Sequence, residues 1–273
     1  MIINKDISEM DFCPYIDTEK DVIKCIVDKR DMISNKYELM PYPLAHWINT
    51  IGVDKTNSKI SKLSTSRTRV FVCQHILVDK LIFNSNDLVF TPHSSINDRF
   101  ISIPHKAVNY NKEYISTKKT LKFSFLGSSK THDIRSKLIR LYPDKCFDSG
   151  KHWGLEKDTT DDFRTRYIKM IGESSFSLCP RGTGISTVRL FESIIMNSIP
   201  VIISDNYKKP LEEFIDWSGF SITIKENEID QVSNIIDSIS EDEIDKKRSK
   251  LEDINKIFFN NKFDKFIEKN LIK

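Results

Sequence analysis

The chain has 273 residues, which is enough for one large domain or two small ones with a substantial core. Hydrophobic residues make up 39% of it and charged residues 30%, the proportions of an ordinary globular protein. Its 42 Lys and Arg nearly balance 39 Asp and Glu, giving a net charge of +3, so it lacks the concentrated basic excess of a dedicated nucleic-acid binder.

Cysteine usage and the N-terminal stretch bear on the expected location. The five cysteines are scattered without a C-x-x-C pair, and the six histidines are not grouped with them, so we predict no zinc site. Residues 1–30 lack the apolar core of a signal peptide, and no stretch is long enough to span a membrane. We therefore expect a cytoplasmic protein, of microbial or viral type given its abundance of Ile, Lys and Asn.

The first part of the chain carries few structural signals. Residues 18–33 have the apolar spacing of a helix, whereas residues 55–68 are polar and predict a loop. Strands are then predicted at residues 69–75, 87–91 and 100–103, with a helix or turn at residues 76–83. The polar stretch 110–119 indicates a boundary, so we predict an N-terminal domain of residues 1–115 and a C-terminal domain of residues 116–273.

Strands and helices alternate regularly after residue 120. Strands are predicted at residues 121–126, 145–148, 175–179, 200–204 and 220–224. Helices are predicted at residues 131–141, 159–171, 186–197, 210–217, 228–239 and 241–259. This alternation is typical of a parallel, doubly wound sheet, whose ligands bind beyond the carboxyl ends of the strands. Ser128, Gly150, Arg181 and Asp205 fall at those ends.

Residues 173–204 form a strand–turn–helix–strand unit whose turn suits an anion. The N-terminus of the helix presents unpaired N–H groups and a partial positive charge. Gly182 and Gly184 allow a phosphate to approach the backbone closely, and Arg181 adds a forked donor. The alternative is that Arg181 is a loop arginine solvated at the surface.

The helix predicted at residues 186–197 has two different faces. Ser186 or Thr187 is placed to cap its first turn. The side chains expected to face the core are Leu190, Phe191, Ile194 and Ile195. Those expected to face away from it are Arg189, Glu192, Ser193 and Met196. On an outward face, Arg189 and Glu192 are spaced for a surface ion pair.

Several runs, in sequence order, carry a family resemblance. They are FSFLG (123–127) leading into Arg135, CPRGTGISTVRLFESIIMNSIPVIISDN (179–206), PLEEF (210–214) and DWSGFS (216–221), with DRFISIP (98–104) upstream. Together they resemble the donor-binding half of exostosin-type glycosyltransferases. The resemblance is good over residues 120–225, weak over 68–105 and absent from 1–67.

The resemblance implies an α/β protein of the GT-B fold, with two Rossmann-like domains and a cleft between them. The expected reaction is inverting transfer from a UDP-sugar, such as UDP-xylose, UDP-glucuronate or UDP-galactose, to a hydroxyl of an acceptor oligosaccharide or glycoprotein glycan. The acceptor would bind the N-terminal domain and the donor the C-terminal one. No cofactor is expected and, because no D-x-D pair ends an apolar strand, no metal either.

The resemblance also implies which residues bind the donor. They are, in chain order, Arg135, Arg181, Gly182, Gly184, Ser186, Thr187, Arg189 and Glu192. The turn and the helix start would hold the diphosphate, and Glu192 the ribose hydroxyls. Arg135 would make a second diphosphate contact, with simple exposure as its alternative.

The catalytic base is expected in the N-terminal domain, near the end of the strand predicted at residues 69–75. Asp79 falls where the family's aspartate does, and His75 ends the strand. The alternatives are a solvated carboxylate beside Lys80 and a hydrogen-bonded core histidine. His93 and Asp98 are further candidates.

Two other classes of protein fit parts of the sequence. A nicotinamide-dependent oxidoreductase is suggested because Gly182 to Thr187 nearly fits G-x-G-x-x-G after a strand, with Asp205 after the next strand. Against it, Thr187 replaces the third glycine and three strands precede the unit. A non-catalytic glycan-binding protein on the same fold is the other alternative.

Overall fold

The computed structural model describes residues 1–3, 16–150, 161–260 and 263–272. The chain divides into two compact units. The first comprises Met1–Lys106, Lys208–Leu211 and Asn261–Lys273, and the second Ala107–Tyr207 and Glu212–Asn260. Each contains a five-stranded sheet in which all the described strand pairs are parallel. The predicted class, α/β with the two Rossmann-like domains of the GT-B fold, is confirmed.

The sheet of the first unit follows chain order. Its strands are β1 (Ile2–Ile3), β2 (Tyr37–Leu39), β3 (Thr68–Val72), β4 (Leu88–Thr91) and β5 (Ile101–Ser102), in the order β1-β2-β3-β4-β5. Helices α1 (Asp17–Asp28) and α2 (Leu44–Ser61) connect the first three strands. The predicted strands therefore form, slightly shortened, and a 3-10 turn at Val78–Lys80 occupies the stretch predicted as a helix or turn.

The loop predicted at residues 55–68 is wrong over its first half, because α2 continues to Ser61. Gly52, with φ of +84°, kinks this helix, and the second segment then turns Thr56 and Ile60 into the core. The polar composition reflects an amphipathic helix with a narrow buried stripe, which is hard to separate from a loop by composition alone.

Glu19 in α1 is a fully buried carboxyl group of the first unit. Its Oε1 accepts hydrogen bonds from the N–H groups of Ala45 (3.0 Å) and Gln74 (2.9 Å), whereas Oε2 has no partner among the described residues. Burial raises the pKa of Glu19 to about 8, against the opposing effect of those two hydrogen bonds. The group therefore joins α1, α2 and the end of β3 mainly as a neutral acid at neutral pH.

The substitution Glu19→Gln is expected to remove a pH-dependent loss of stability. Since the folded-state pKa of about 8 lies above the ordinary value of 4.5, the folded state holds the proton more tightly, and stability falls as pH rises through this window. A fully coupled proton gives a slope of about 1.4 kcal/mol per pH unit. Urea unfolding at several pH values across this window should show that the free energy of unfolding of Glu19→Gln, relative to the wild type, increases as pH rises. The exposed control Glu228→Gln should show no such increase. A difference between Glu19→Gln and the wild type that does not change with pH would contradict this account.

The second unit has a sheet whose strand order does not follow the chain. Its strands are β6 (Leu121–Gly127), β7 (Cys146–Asp148), β8 (Ser174–Pro180), β9 (Ile199–Ile203) and β10 (Ile222–Thr223), in the order β10-β9-β8-β6-β7. Its helices are α3 (Asp133–Leu141), α4 (Asp161–Glu173), α5 (Val188–Ile195), α6 (Val232–Asp237) and α7 (Glu241–Asn255). All five strands and most helices were predicted, although residues 159 and 160 of the helix predicted at residues 159–171 lie outside the described residues.

The helix predicted at residues 210–217 is wrong. The chain forms turns there, with Leu211 at φ of +54°, and only Trp217–Gly219 makes a short 3-10 helix. The tryptophan packs against Phe220 and Phe258, with ring centroids 5.0 and 5.6 Å apart, so its burial rather than helix formation fixes this stretch.

The units differ from the predicted domains of residues 1–115 and 116–273. The second unit begins at Ala107, and the C-terminal helix α8 (Asp264–Leu271) belongs to the first. Contacts with early residues explain this: Cys25 Sγ lies 2.9 Å from Asp264 Oδ1, and the Tyr37 hydroxyl donates to Asn270 O (3.3 Å). Among the described residues no helix is long and apolar enough to cross a membrane.

Candidate functional site

The sheet of the second unit reverses its order at β6. β7 and β8 lie on opposite sides of β6, so the connections that follow β6 and β8 leave in opposite directions. In open parallel sheets this arrangement opens a crevice at the carboxyl ends of the strands, and ligands bind there. β6 ends at Gly127 and β8 at Pro180, so the loop that leads into α3, in whose first turn Arg135 lies, and the turn that carries Arg181 both start at this crevice.

The turn after β8 is held in place by Arg135. Its Nε donates to Arg181 O (2.9 Å) and its Nη2 to Pro180 O (3.1 Å). On the other side, the backbone N–H of Arg181 donates to Ile203 O of β9 (2.9 Å). A Cβ on Gly182 would lie 3.1 Å from Arg135 Nη2, so glycine makes room for the supporting guanidinium. The turn is thus fixed before any ligand arrives.

Arg135 remains a cation while it supports the turn. Burial, and secondarily Arg189, lower its pKa to about 10, which leaves it charged at neutral pH. Its guanidinium lies 5.7 Å from the centre of the Phe125 ring. Nη1 makes no hydrogen bond to the described part of the chain, so Arg135 keeps a donor for an anion. The alternative that Arg135 is simply exposed is therefore wrong, because its guanidinium is hydrogen-bonded to the turn after β8.

The Arg181 side chain is accessible and weakly paired. It is 25% exposed, and its Nη1 lies 3.8 Å from Glu226 Oε1, a long contact that contributes little and is readily exchanged for a phosphate. Glu226 and Asp205 exchange hydrogen bonds of 3.0 and 3.1 Å, each from a backbone N–H to the other's carboxylate. Asp205 therefore holds a turn.

The start of α5 is not capped by a side chain. Thr187 occupies the N-cap position in extended backbone geometry, but its hydroxyl accepts no capping hydrogen bond, and neither does that of the preceding Ser186. The prediction that one of them caps the helix is therefore wrong. The N–H groups of the first turn remain available as donors, beside the buried Gly184.

The prediction that one face of α5 is turned away from the core is wrong. Arg189 is 8% exposed and Glu192 1%, and Ser193 and Met196 are buried as well. The alternative to a donor-binding role for Glu192, a surface ion pair with Arg189, is absent from the described contacts of these two residues. The physical reason is that α4 and the stretch before β6 cover this side of α5.

Arg189 packs against the end of β6. Its guanidinium lies 4.7 Å from the ring centres of both Phe125 and Tyr167, and Nη2 donates to Leu126 O. Stacking between two rings satisfies the buried charge in part. The structure therefore gives Arg189 a supporting position and does not bring it to the surface with Arg181.

Glu192 is likewise occupied within the second unit. Its Oε1 accepts from the backbone N–H (2.8 Å) and side-chain amide (3.0 Å) of Asn109, and its Oε2 from the Tyr167 hydroxyl. Burial raises the pKa of Glu192, against those hydrogen bonds. Sequence reasoning missed Asn109, which has no motif of its own. The ribose-binding role of Glu192 stays a prediction.

The two candidate bases differ in what their side chains contact. Asp79 is 59% exposed, and its carboxylate lies 3.1 Å from Lys80 Nζ. His75 accepts a hydrogen bond from Leu77 N at Nδ1 (3.1 Å), so Nε2 carries the proton toward Asn49 Oδ1 (3.0 Å). Burial lowers the pKa of His75. With both ring nitrogens engaged, His75 has no free lone pair for a substrate proton.

The two further candidates lie in the loop that joins the carboxyl end of β4 to β5. Asp98 accepts hydrogen bonds from Ser94 Oγ (2.8 Å) and from the N–H groups of Ser95 (2.5 Å) and Phe100 (2.9 Å), so it organises a turn. His93 is half-buried and packs edge-to-face on His105, with ring centroids 5.0 Å apart. Asp79 is thus the more accessible of the carboxylates considered.

The chain belongs to the exostosin GT47 family, because the model of the exostosin GT47 domain matches residues 44–239. The resemblance seen in the sequence is thereby confirmed, and it extends into residues where few signals were visible.

Individual relatives share only a part of this chain. The probable glucuronosyltransferase GUT1 of Oryza sativa subsp. japonica is 30% identical over 94 residues, 34% of this chain and 22% of the relative. An exostosin-1 homolog of Caenorhabditis elegans is 29% identical over 85 residues, 31% of this chain and 22% of the relative. The chain spans only 16% to 22% of the length of such relatives.

Among solved structures, the pneumococcal O-GlcNAc transferase GtfA in complex with UDP and GlcNAc aligns with 92% of this chain and 59% of its own, at 12% identity and a TM-score of 0.40. TarM aligns with 84% of this chain and 53% of its own, at 11% identity and a TM-score of 0.35.

Proposed function

We propose that the protein is a glycosyltransferase that moves a sugar from a UDP-sugar to a hydroxyl of an acceptor glycan, with inversion and without a metal. The observation that carries this proposal is the turn after β8. Arg135 holds it at the reversal of the strand order, and there the accessible Arg181 and the uncapped start of α5 offer donors to one anion. Membership of the exostosin GT47 family supports sugar transfer as the use of such a site.

In this proposal the donor site receives the leaving diphosphate. Negative charge develops on the diphosphate as the bond to the sugar breaks, and preorganised donors that gain strength with that charge accelerate the step. Arg181, the free nitrogen of Arg135 and the N–H groups of α5 are such donors. They take the place of a divalent ion. Among the described residues, no three His, Cys, Asp or Glu side chains are grouped to hold one. Metal independence itself stays a prediction.

The acceptor hydroxyl must lose its proton to a base, for which we propose Asp79 of the first unit. Its exposed carboxylate has only Lys80 as a charged partner within 4.0 Å in the described part of the chain. A carboxylate of this kind can accept a proton from a sugar hydroxyl that lies within hydrogen-bond distance.

The oxidoreductase alternative is disfavoured by the position of the motif. In a dinucleotide fold the glycine-rich turn follows the first strand of its domain, whereas here it follows β8, the third strand of the second unit. Only a turnover assay can distinguish the proposed glycosyltransferase from a glycan-binding protein without activity.

A release assay tests the proposed function. The protein is incubated with a panel of UDP-sugars, beginning with UDP-glucuronate because two of the relatives are named glucuronosyltransferases. We expect UDP release that depends on an added oligosaccharide acceptor and that persists in excess EDTA. A strict requirement for Mn²⁺ or Mg²⁺ would contradict the metal-free mechanism. Binding of UDP without release from any donor would favour the non-catalytic alternative.

A further inference from the structure

Two hydroxyl groups of the second unit are buried with no hydrogen-bond partner beyond each other. Ser186 is 6% exposed and Tyr207 is 4% exposed. Within the described part of the chain neither Ser186 Oγ nor the Tyr207 hydroxyl makes a hydrogen bond of normal geometry. Buried hydroxyls in folded proteins are nearly always paired, so each unpaired one requires an explanation. Two of them in one place point to a polar group that is bound there in the working protein.

Both hydroxyls lie at the carboxyl edge of the sheet. Ser186 immediately precedes the N-cap of α5, and Tyr207 comes shortly after β9 ends at Ile203. The two side chains are neighbours, since a hydrogen-bonding contact with the Ser186 hydroxyl lowers the pKa of Tyr207. That contact can use only one of the two O–H groups, so at least one of them is left without an acceptor. The Ser204 hydroxyl donates to Ile185 O (2.7 Å) and so holds the loop before α5 against the end of β9.

The chemistry of this place favours an anionic oxygen. Burial raises the pKa of Tyr207, against the opposing effect of the Ser186 hydroxyl, so the phenol stays protonated and can donate. Ser186 has a second O–H, and the uncapped start of α5 adds backbone N–H groups. A cluster made of donors beside a helix N-terminus binds a phosphate oxygen better than a neutral sugar hydroxyl.

We propose that the Tyr207 and Ser186 hydroxyls bind a phosphate oxygen of the donor diphosphate, an inference that rests on the proposed function. Tyr207 is then a binding residue of the donor site, although it lies outside the glycine-rich turn. It holds the diphosphate from the β9 side, opposite the support that Arg135 gives from the β6 side.

Tyr207→Phe tests this inference with two readouts that move in opposite directions. Without nucleotide, the variant should melt at the same temperature as the wild type or higher, because a buried unpaired hydroxyl is removed while the ring stays. In calorimetric titration with UDP, its affinity should fall by about 10-fold, the effect of one hydrogen bond to a charged group. Ser186→Ala should behave in the same way.

Tyr142→Phe is the matched control in the same unit. The Tyr142 hydroxyl donates to the carbonyl oxygens of Ile229 (3.1 Å) and Asp230 (3.0 Å), away from the donor site. This variant should melt lower than the wild type and bind UDP equally well.

The possible outcomes separate the inference from the function. If the wild type binds UDP and Tyr207→Phe binds it as tightly, the inference is overturned and the proposed function stands. If Tyr207→Phe melts lower, as Tyr142→Phe should, and keeps its affinity, the hydroxyl has a structural role only, which also overturns the inference. If the wild type does not bind UDP, the proposed function fails first.

Discussion

Arg181→Ala is expected to abolish measurable turnover and most UDP affinity while the protein stays folded. The guanidinium is the accessible charged donor of the turn after β8, and in the proposed mechanism it supports the leaving diphosphate as charge develops. Removing one such donor typically lowers turnover by ~10²–10³-fold. Stability should change little, because among the described residues the side chain makes only the 3.8 Å contact with Glu226 and a 3.3 Å hydrogen bond to the adjacent Gly182 O.

Two further variants sharpen this expectation. Arg181→Lys should restore activity only in part, because a point charge does not reproduce two parallel hydrogen bonds to phosphate. Arg140→Ala, at an exposed position of α3, removes the same charge from the same unit and should leave turnover and UDP affinity unchanged. Full activity of Arg181→Ala, with normal UDP affinity, would refute the donor-site assignment.

Asp79→Asn is expected to lower turnover by at least ~10²-fold, the low end of what a general base contributes. Asparagine keeps the shape of the side chain but cannot take up the acceptor proton. UDP affinity should stay at the wild-type value, since the donor site is built entirely from residues of the second unit. Initial rates at saturating donor, together with calorimetric UDP titration, measure the two quantities separately.

Lys80→Ala is the control for the Asp79 contact of 3.1 Å. If the ion pair alone mattered, this variant would lose as much activity as Asp79→Asn, whereas we expect it to retain most. His75→Ala should be milder, because both ring nitrogens of His75 are already engaged. An inactive His75→Ala beside a nearly normal Asp79→Asn would transfer the role to His75. Two active variants would leave His93, half-buried after β4, as the next candidate.

The second unit was predictable because its strands are continuous apolar runs bounded by turn residues. Phe123, Phe125, Phe176 and Val201 illustrate this: each lies in a predicted strand and is buried in the corresponding observed one. Parallel strands covered on both faces need such runs, so the sequence signal was strong. The ends of the strands were predictable for the same reason, which is why Arg181 was expected, and lies, directly after β8.

The faces of α5 were not predictable, because burial there depends on distant parts of the chain. Arg189 and Glu192 have the residue types of an exposed face, yet Phe125, Tyr167 and Asn109 enclose them. A single helical period cannot reveal that a second helix and a preceding segment cover its polar side. The charges are accommodated by ring stacking and by donated hydrogen bonds instead of by water.

Tyr207 and Glu19 were not identified from the sequence, because the feature that distinguishes them appears only in the three-dimensional structure. Among the described residues, the Tyr207 hydroxyl and Glu19 Oε2 are buried and make no hydrogen bond of normal geometry. No sequence pattern encodes such a property, since tyrosine and glutamate at these positions are equally compatible with a fully satisfied environment.

The measurement that tests the central claim most directly is thermal unfolding with added nucleotides. We predict that UDP raises the melting temperature of the wild type, and that the increase grows with the logarithm of the UDP concentration above the dissociation constant. NAD should have no effect, and UDP should not stabilise Arg181→Ala. Stabilisation by NAD and not by UDP would contradict the account and favour an oxidoreductase.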